Sequence, residues 1–207
     1  MGSLVEPMLG ALLGALVAAA PPGGSIARTE GLIETFKAVH RSEGAPLTPE
    51  EQRQNQFALA ALDGYFDFDR LVGDPMAPHE GKLDAPQLRR YREVFTELIR
   101  TVAWSNAGGF FREATWTLRE VETAGGADVH MAARVPRKDL DTDVIFHWRT
   151  RGDGPLLLVD VSFDGDSLVA DYRNQFGRIL EREGAAALIS RLERRLDEER
   201  ARHGAAP

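Results

Sequence analysis

The chain has 207 residues, 43% apolar and 28% charged, with no cysteine. That size and composition fit one globular domain of ordinary dimensions, and the missing cysteines exclude disulfides, thiolate metal sites and thiol nucleophiles together. A formal net charge of −7, from 32 acidic against 25 basic residues, offers a polyanion no basic surface and argues against nucleic acid as a partner.

In chain order, Met8 to Ala20 (MLGALLGALVAAA) is an apolar run too short to span a bilayer but suited to a signal-peptide core. It ends in small residues before Pro21-Pro22-Gly23-Gly24. Residues 1–24 are therefore expected to be a signal-like segment or tail, residues 25–203 a single domain and residues 204–207 a tail. The residues ahead of the run include Glu6 and no Lys or Arg, an atypical n-region. A short packed helix is the alternative, and Met1 to Ser3 read equally as an added tag.

Ile26 to His40, with Leu32, Ile33, Phe36 and Val39 at helical spacing, predicts a first helix. Thr48-Pro49-Glu50-Glu51 combines a capping box with proline at the first helical position, so a second should run to about Leu62. The aromatic stretch Tyr65 to Leu71 predicts a short helix, and Pro75, Pro78 and Gly81 a loop after it. In "FDFDR", Asp67 and Asp69 read as one helix cap and one partner of Arg70 or solvent. Asp84-Ala85-Pro86-Gln87 opens a helix to about Trp104 whose apolar stripe includes Leu88, Tyr91, Phe95, Leu98, Ile99 and Val102.

From about residue 111 the period becomes alternating. Ala114–Glu122 and Val129–Val135 should be strands around a turn at 123–126. On a third strand Val144, Phe146 and Trp148 share a face, with His147 and Arg149 on the other; Leu156–Phe163 is the fourth. Ser167–Glu183 and Ala185 to about Arg202 read as the last helices. The class is α+β: a twisted antiparallel sheet of four strands, or five, with six to seven helices packed on one face.

The residues give little support for chemistry. The five histidines are scattered without metal-site spacing, and Asp139, Asp141 and Asp143 lack the glycine and glutamate of a calcium loop, so no metal or other cofactor is expected. No nucleophile elbow, P-loop or dinucleotide glycine pattern occurs. An enzyme would have to use a pocket dyad, His130 or His147 with Asp160. The apolar faces form either a filled core or a cavity, which periodicity does not distinguish.

The order of "YFDFDRLVG", "APQLRRYREVFTELIRTVAW", the meander closing in "GPLLLVDVSFDGDSLVADYRNQFGRIL", and "GAAALISRLERRL" resembles the MlaC family of periplasmic phospholipid carriers, also called toluene-tolerance proteins. The similarity runs from about Thr29 to Leu196, with Leu156 where the family places an aromatic residue and Asp166 where it places a hydrophobic one. The resemblance implies a non-catalytic, monomeric carrier without a membrane span, whose apolar cavity holds phospholipid as cargo. It would pass lipid between an outer-membrane lipoprotein complex and an inner-membrane ABC transporter. The acyl chains are expected against Phe66, Phe68 and Leu71; Phe95, Leu98, Ile99 and Val102; Val144, Phe146 and Trp148; Val161 and Phe163; and Leu168, Tyr172 and Phe176. Arg149, Arg173 or Lys138 would meet the headgroup. The alternatives are the dyad enzyme and an adaptor with a filled core.

Overall fold

A computed structural model describes residues 24–40 and 46–203; the signal-like run and residues 204–207 lie outside them. Three helices come first: α1 (Ser25–Lys37), α2 (Pro49–Asp63) and α3 (Phe68–Met76). A 3-10 turn, Ala77–Lys82, leads into α4 (Ala85–Glu113). The strands are β1 (Thr115–Thr123), β2 (Gly126–Val135), β3 (Leu140–Thr150), β4 (Leu156–Phe163) and β5 (Asp166–Ser167), and the chain closes with α5 (Leu168–Arg182) and α6 (Gly184–His203). The protein is α+β, with one antiparallel five-stranded sheet in the order β1-β2-β3-β4-β5.

Local chemistry sets most boundaries. Thr48 forms the reciprocal capping box with Glu51, and Asp84 does the same with Gln87, each with proline in the first turn. The region after Leu71 corrects the expected loop: α3 runs through Pro75 and passes directly into the 3-10 turn around Pro78. Proline late in a short helix sets φ without breaking many hydrogen bonds. The fourth helix is also longer than its sequence suggests. It continues past Trp104 to Glu113 because Ala103, Ala107, Phe110 and Phe111 extend the apolar stripe. At Gly108 α4 meets α1: a Cβ there would stand 2.5 Å from the Phe36 carbonyl oxygen.

The sheet shows two departures from regular pairing. His147 pairs with Asp160 but Trp148 with Leu158, leaving Val159 as an extra residue in β4. This bulge lets both Val161 and Leu158 face the same side, as strict alternation would not. At the far end, Asp164 and Gly165 both have positive φ (49° and 94°) and form a two-residue hairpin turn into β5. Asp-Gly suits that turn because such conformations cost these residues least. Ser167 then caps α5, its hydroxyl accepting from Ala170 N. The free edge of β4 is covered twice, by β5 at one end and by Tyr65–Asp67 at the other. There Leu158 N donates to Tyr65 O (2.7 Å) and Asp67 N to Leu158 O (3.0 Å). Covering an edge in this way prevents its pairing with another chain.

Candidate lipid-binding seam

The apolar residues separate into two clusters. The first lies between one face of the sheet, α1, α2 and the C-terminal part of α4: Leu32, Ile33 and Phe36 meet Val129, Met131, Val144, Phe146, Trp148 and Leu158. The second is helical, with Tyr91, Phe95 and Leu98 of α4 against Phe176 and Leu180 of α5 and Leu188 and Leu192 of α6. A helix of 29 residues is about 43 Å long at 1.5 Å per residue, so α4 serves both.

Of the sequence-predicted acyl contacts, the sheet-side cluster collects Val144, Phe146 and Trp148 as buried members, with Phe66 and Val161 packed against it. Phe68 touches this group through Phe66, ring centroids 5.7 Å apart, and its own ring lies under the Arg100 guanidinium at 4.7 Å. The helical cluster collects Phe95, Leu98 and Phe176, with Ile99, Val102 and Tyr172 packed on it. Its rings interlock, Phe95 standing 4.9 Å from Tyr172 and 5.1 Å from Phe176. Burial there pushes the Tyr91 and Tyr172 hydroxyls above their ordinary pKa, and Tyr91 donates to Val72 O at 2.8 Å. Leu71 is half-buried beside this layer in α3, whereas Phe163 and Leu168, flanking the hairpin turn, are 44% and 38% exposed.

The sheet-side cluster has a partly exposed margin. Trp116 and Leu118 on β1, Leu156 and Val161 on β4, Ile26 on α1 and Trp104 and Phe110 on α4 all pack on it while staying partly exposed. These side chains form an apolar seam along the junction of sheet and helices. The opposite sheet face is polar. A concavity of about 640 Å³ there is lined by Thr117, Arg119, His130, Asp143, Ile145 and the turn at Asp164-Gly165, and Val144 is the one predicted acyl contact that borders it. A second, of about 360 Å³, adjoins it at Thr115, Arg134 and Asp141.

The predicted headgroup cations have other engagements. Arg149 donates from Nη1 to Asp128 (2.8 Å) and to the carbonyls of Ala127 and Trp148. Arg173 reaches the Asp74 carbonyl from α5, and Lys138 pairs with Glu113 at 3.6 Å. A basic residue that sequence reasoning passed over is Arg28, 2% exposed on the first turn of α1. It sits in an apolar helical register, so only its burial distinguishes it.

The acidic pairs also resolve. Asp67 caps α3 through Arg70 N (3.1 Å) and pairs with Arg151 at 2.7 Å, while Asp69 pairs with Arg151 rather than Arg70. Asp160 is occupied by Ser167 Oγ and the amides of Val161 and Val169, so the dyad with His147 or His130 does not form. His147 instead sets Nδ1 3.1 Å from Asp128 and Nε2 2.8 Å from Ser162 Oγ. That relay crosses β2, β3 and β4, but Ser162 is 5% exposed and borders neither concavity. Among the described residues, no group of three or more His, Asp or Glu could hold a metal ion.

Comparison with known proteins adds three findings. The family model described as MlaC protein matches residues 32–194. A solved structure of a phospholipid-binding protein from Ralstonia solanacearum, in complex with a phospholipid, superposes with a TM-score of 0.61 at 17% identity, over 86% of this chain and 99% of that one. At that identity the likeness shows a shared fold. No curated protein matches the chain.

Proposed function

The chain belongs to the MlaC family, and from that premise we propose that it is a non-catalytic carrier of phospholipid, its acyl chains entering between the sheet and the helices. The observation that carries this reading is the apolar sheet face of Val129, Met131, Val144, Phe146 and Val161, ringed by partly exposed apolar side chains. The phospholipid bound in the Ralstonia solanacearum structure of the same fold supports the choice of cargo. In the closed form this face is packed, so loading requires α1 and α4 to move from the sheet, exchanging protein contacts for hydrocarbon contacts of similar strength.

The helical cluster has interlocked rings and reads as the packing that holds α4, α5 and α6 together while the seam opens. Release is the harder step. Each buried CH₂ is worth about 0.8 kcal/mol, so a 16-carbon chain would stay bound for long times without a partner that lowers the exit barrier. An outer-membrane lipoprotein complex and an inner-membrane ABC transporter complex fit that need, with this protein acting between them as a periplasmic monomer. Among the described residues no helix is long and apolar enough to cross a membrane.

A hydrolytic reading has one feature in its favour, the Asp128–His147–Ser162 relay. Its hydroxyl is buried in the sheet, so the carrier reading is preferred. Organic extraction and native mass spectrometry of the purified protein test the choice. Bound phospholipid, or uptake from vesicles, is expected; a protein that is empty and takes up none overturns the carrier.

A further inference from the structure

Arg28 occupies an unusual environment. Its Nη2 donates to Gly64 O at 2.9 Å, while Nε and Nη1 are buried with no hydrogen-bond partner among the described residues. Its guanidinium lies 4.4 Å from the centre of the Tyr65 ring and 5.6 Å from that of Trp148. Among the described residues no carboxylate lies within ion-pair distance of it; Glu120, at the same rim, is engaged by the Ser25 hydroxyl. Ring faces attract the charge but do not accept its in-plane N–H groups. A desolvated guanidinium with two unmade hydrogen bonds is costly, and a group left so calls for something that completes it, such as a bound ligand, ion or water.

A second observation points the same way. Gly24, the N-cap of the 13-residue α1, provides no side-chain cap, so no side chain among the described residues caps the first amides of the helix. Arg28 springs from that same first turn, and side chains on a helix lean toward its N-terminus. An uncapped helix start beside an unpaired guanidinium is a favourable seat for an oxyanion. Ile26, in the same turn, belongs to the apolar seam together with Leu118 and Trp116 of β1.

We propose that Arg28 and the first turn of α1 receive the phosphate of a phospholipid whose acyl chains lie in the sheet-side seam. This rests on the carrier reading above. A phosphodiester accepts from both nitrogens left open, and the guanidinium fork matches its geometry where a lysine would offer a point charge. The seat distinguishes cargo with a phosphate from neutral lipid of the same chains.

The test loads the wild type, Arg28→Met and Arg28→Lys in parallel with phosphatidylglycerol vesicles and with diacylglycerol dispersions of identical chains. Near-UV circular dichroism confirms the fold, and inorganic phosphate alone forms a third arm followed by 31P NMR. The ratio of phosphatidylglycerol to diacylglycerol loaded should fall about ten-fold or more in Arg28→Met and recover in part in Arg28→Lys. The bound 31P resonance should be displaced in the wild type but not in Arg28→Met. An unchanged ratio in Arg28→Met, whether both cargoes persist or both fall together, overturns the proposal while leaving the carrier intact. Wild type that loads neither lipid overturns the carrier reading as well. A response to inorganic phosphate with no preference for phosphatidylglycerol overturns the headgroup assignment.

Discussion

Trp148 Nε1 donates to Thr29 Oγ1 at 2.9 Å, and that hydroxyl in turn donates to Ser25 O at 2.8 Å. This buried chain ties β3 to α1 across the sheet-side cluster. Thr29→Val keeps the shape but leaves the indole N–H without an acceptor, at a cost of about 1–3 kcal/mol, whereas Thr29→Ser should recover most of it. Urea unfolding of the three proteins measures the difference.

The two apolar clusters should respond differently to substitution. Leu118→Trp fills the open margin beside β1 and should reduce recovered phospholipid by about ten-fold with the fold retained. Phe176→Leu, in the helical cluster, should lower stability by about 1–2 kcal/mol and leave cargo near the wild-type amount. Lipid extraction beside thermal melts separates these results, and loss of cargo in Phe176→Leu would place acyl chains in the helical layer.

Asp67, 5% exposed, joins the "FDF" stretch to β4 and caps α3. Asp67→Ala should cost about 1–2 kcal/mol, mostly through the cap. Asp67→Asn keeps the cap and drops only the pair to the exposed Arg151, so its loss should stay below about 1 kcal/mol. Denaturant midpoints that are equal for both variants would contradict this division.

Asp128 supplies a pH dependence. Burial acts to raise its pKa, but hydrogen bonds and charge from Arg149 and His147 outweigh this and hold the carboxyl below its ordinary range. A depressed folded value means that its stabilisation is complete above the unfolded value of about 3.9 and is lost as pH falls through the lower folded value. Asp128→Asn should therefore be less stable than wild type near neutral pH and approach it as pH falls through the depressed folded value. Chemical denaturation across that range gives the comparison.

Much of the fold was legible because its signals are local. The capping box at Thr48, the helix start at Asp84 and the alternation in β3 act within a few residues, and the structure has them all. Where the reading stopped short, long-range contact overrode a local cue. The helix read to about Trp104 runs on to Glu113, and along that extension Gly108 lets α4 approach the backbone of Phe36. The Val159 bulge depends on pairing with β3, so nothing in "LLLVDV" alone announces it.

The candidate site was less legible still. Phe146 and Phe176 have the same apolar character and strong periodicity, yet one faces the sheet-side seam and the other the helical layer. Arg28 was invisible because its significance lies in what is packed around it.

The sequence by itself determined the element types, the antiparallel meander and the resemblance to a family, since periodicity, caps and turns are properties of neighbouring residues. Only the tertiary structure decided which apolar faces share a compartment and which guanidinium, among the described residues, is buried with two nitrogens unsatisfied. Those properties depend on desolvation by segments such as Tyr65 and Trp148, which stand 37 and 120 positions after Arg28 in the chain and meet it only when it folds.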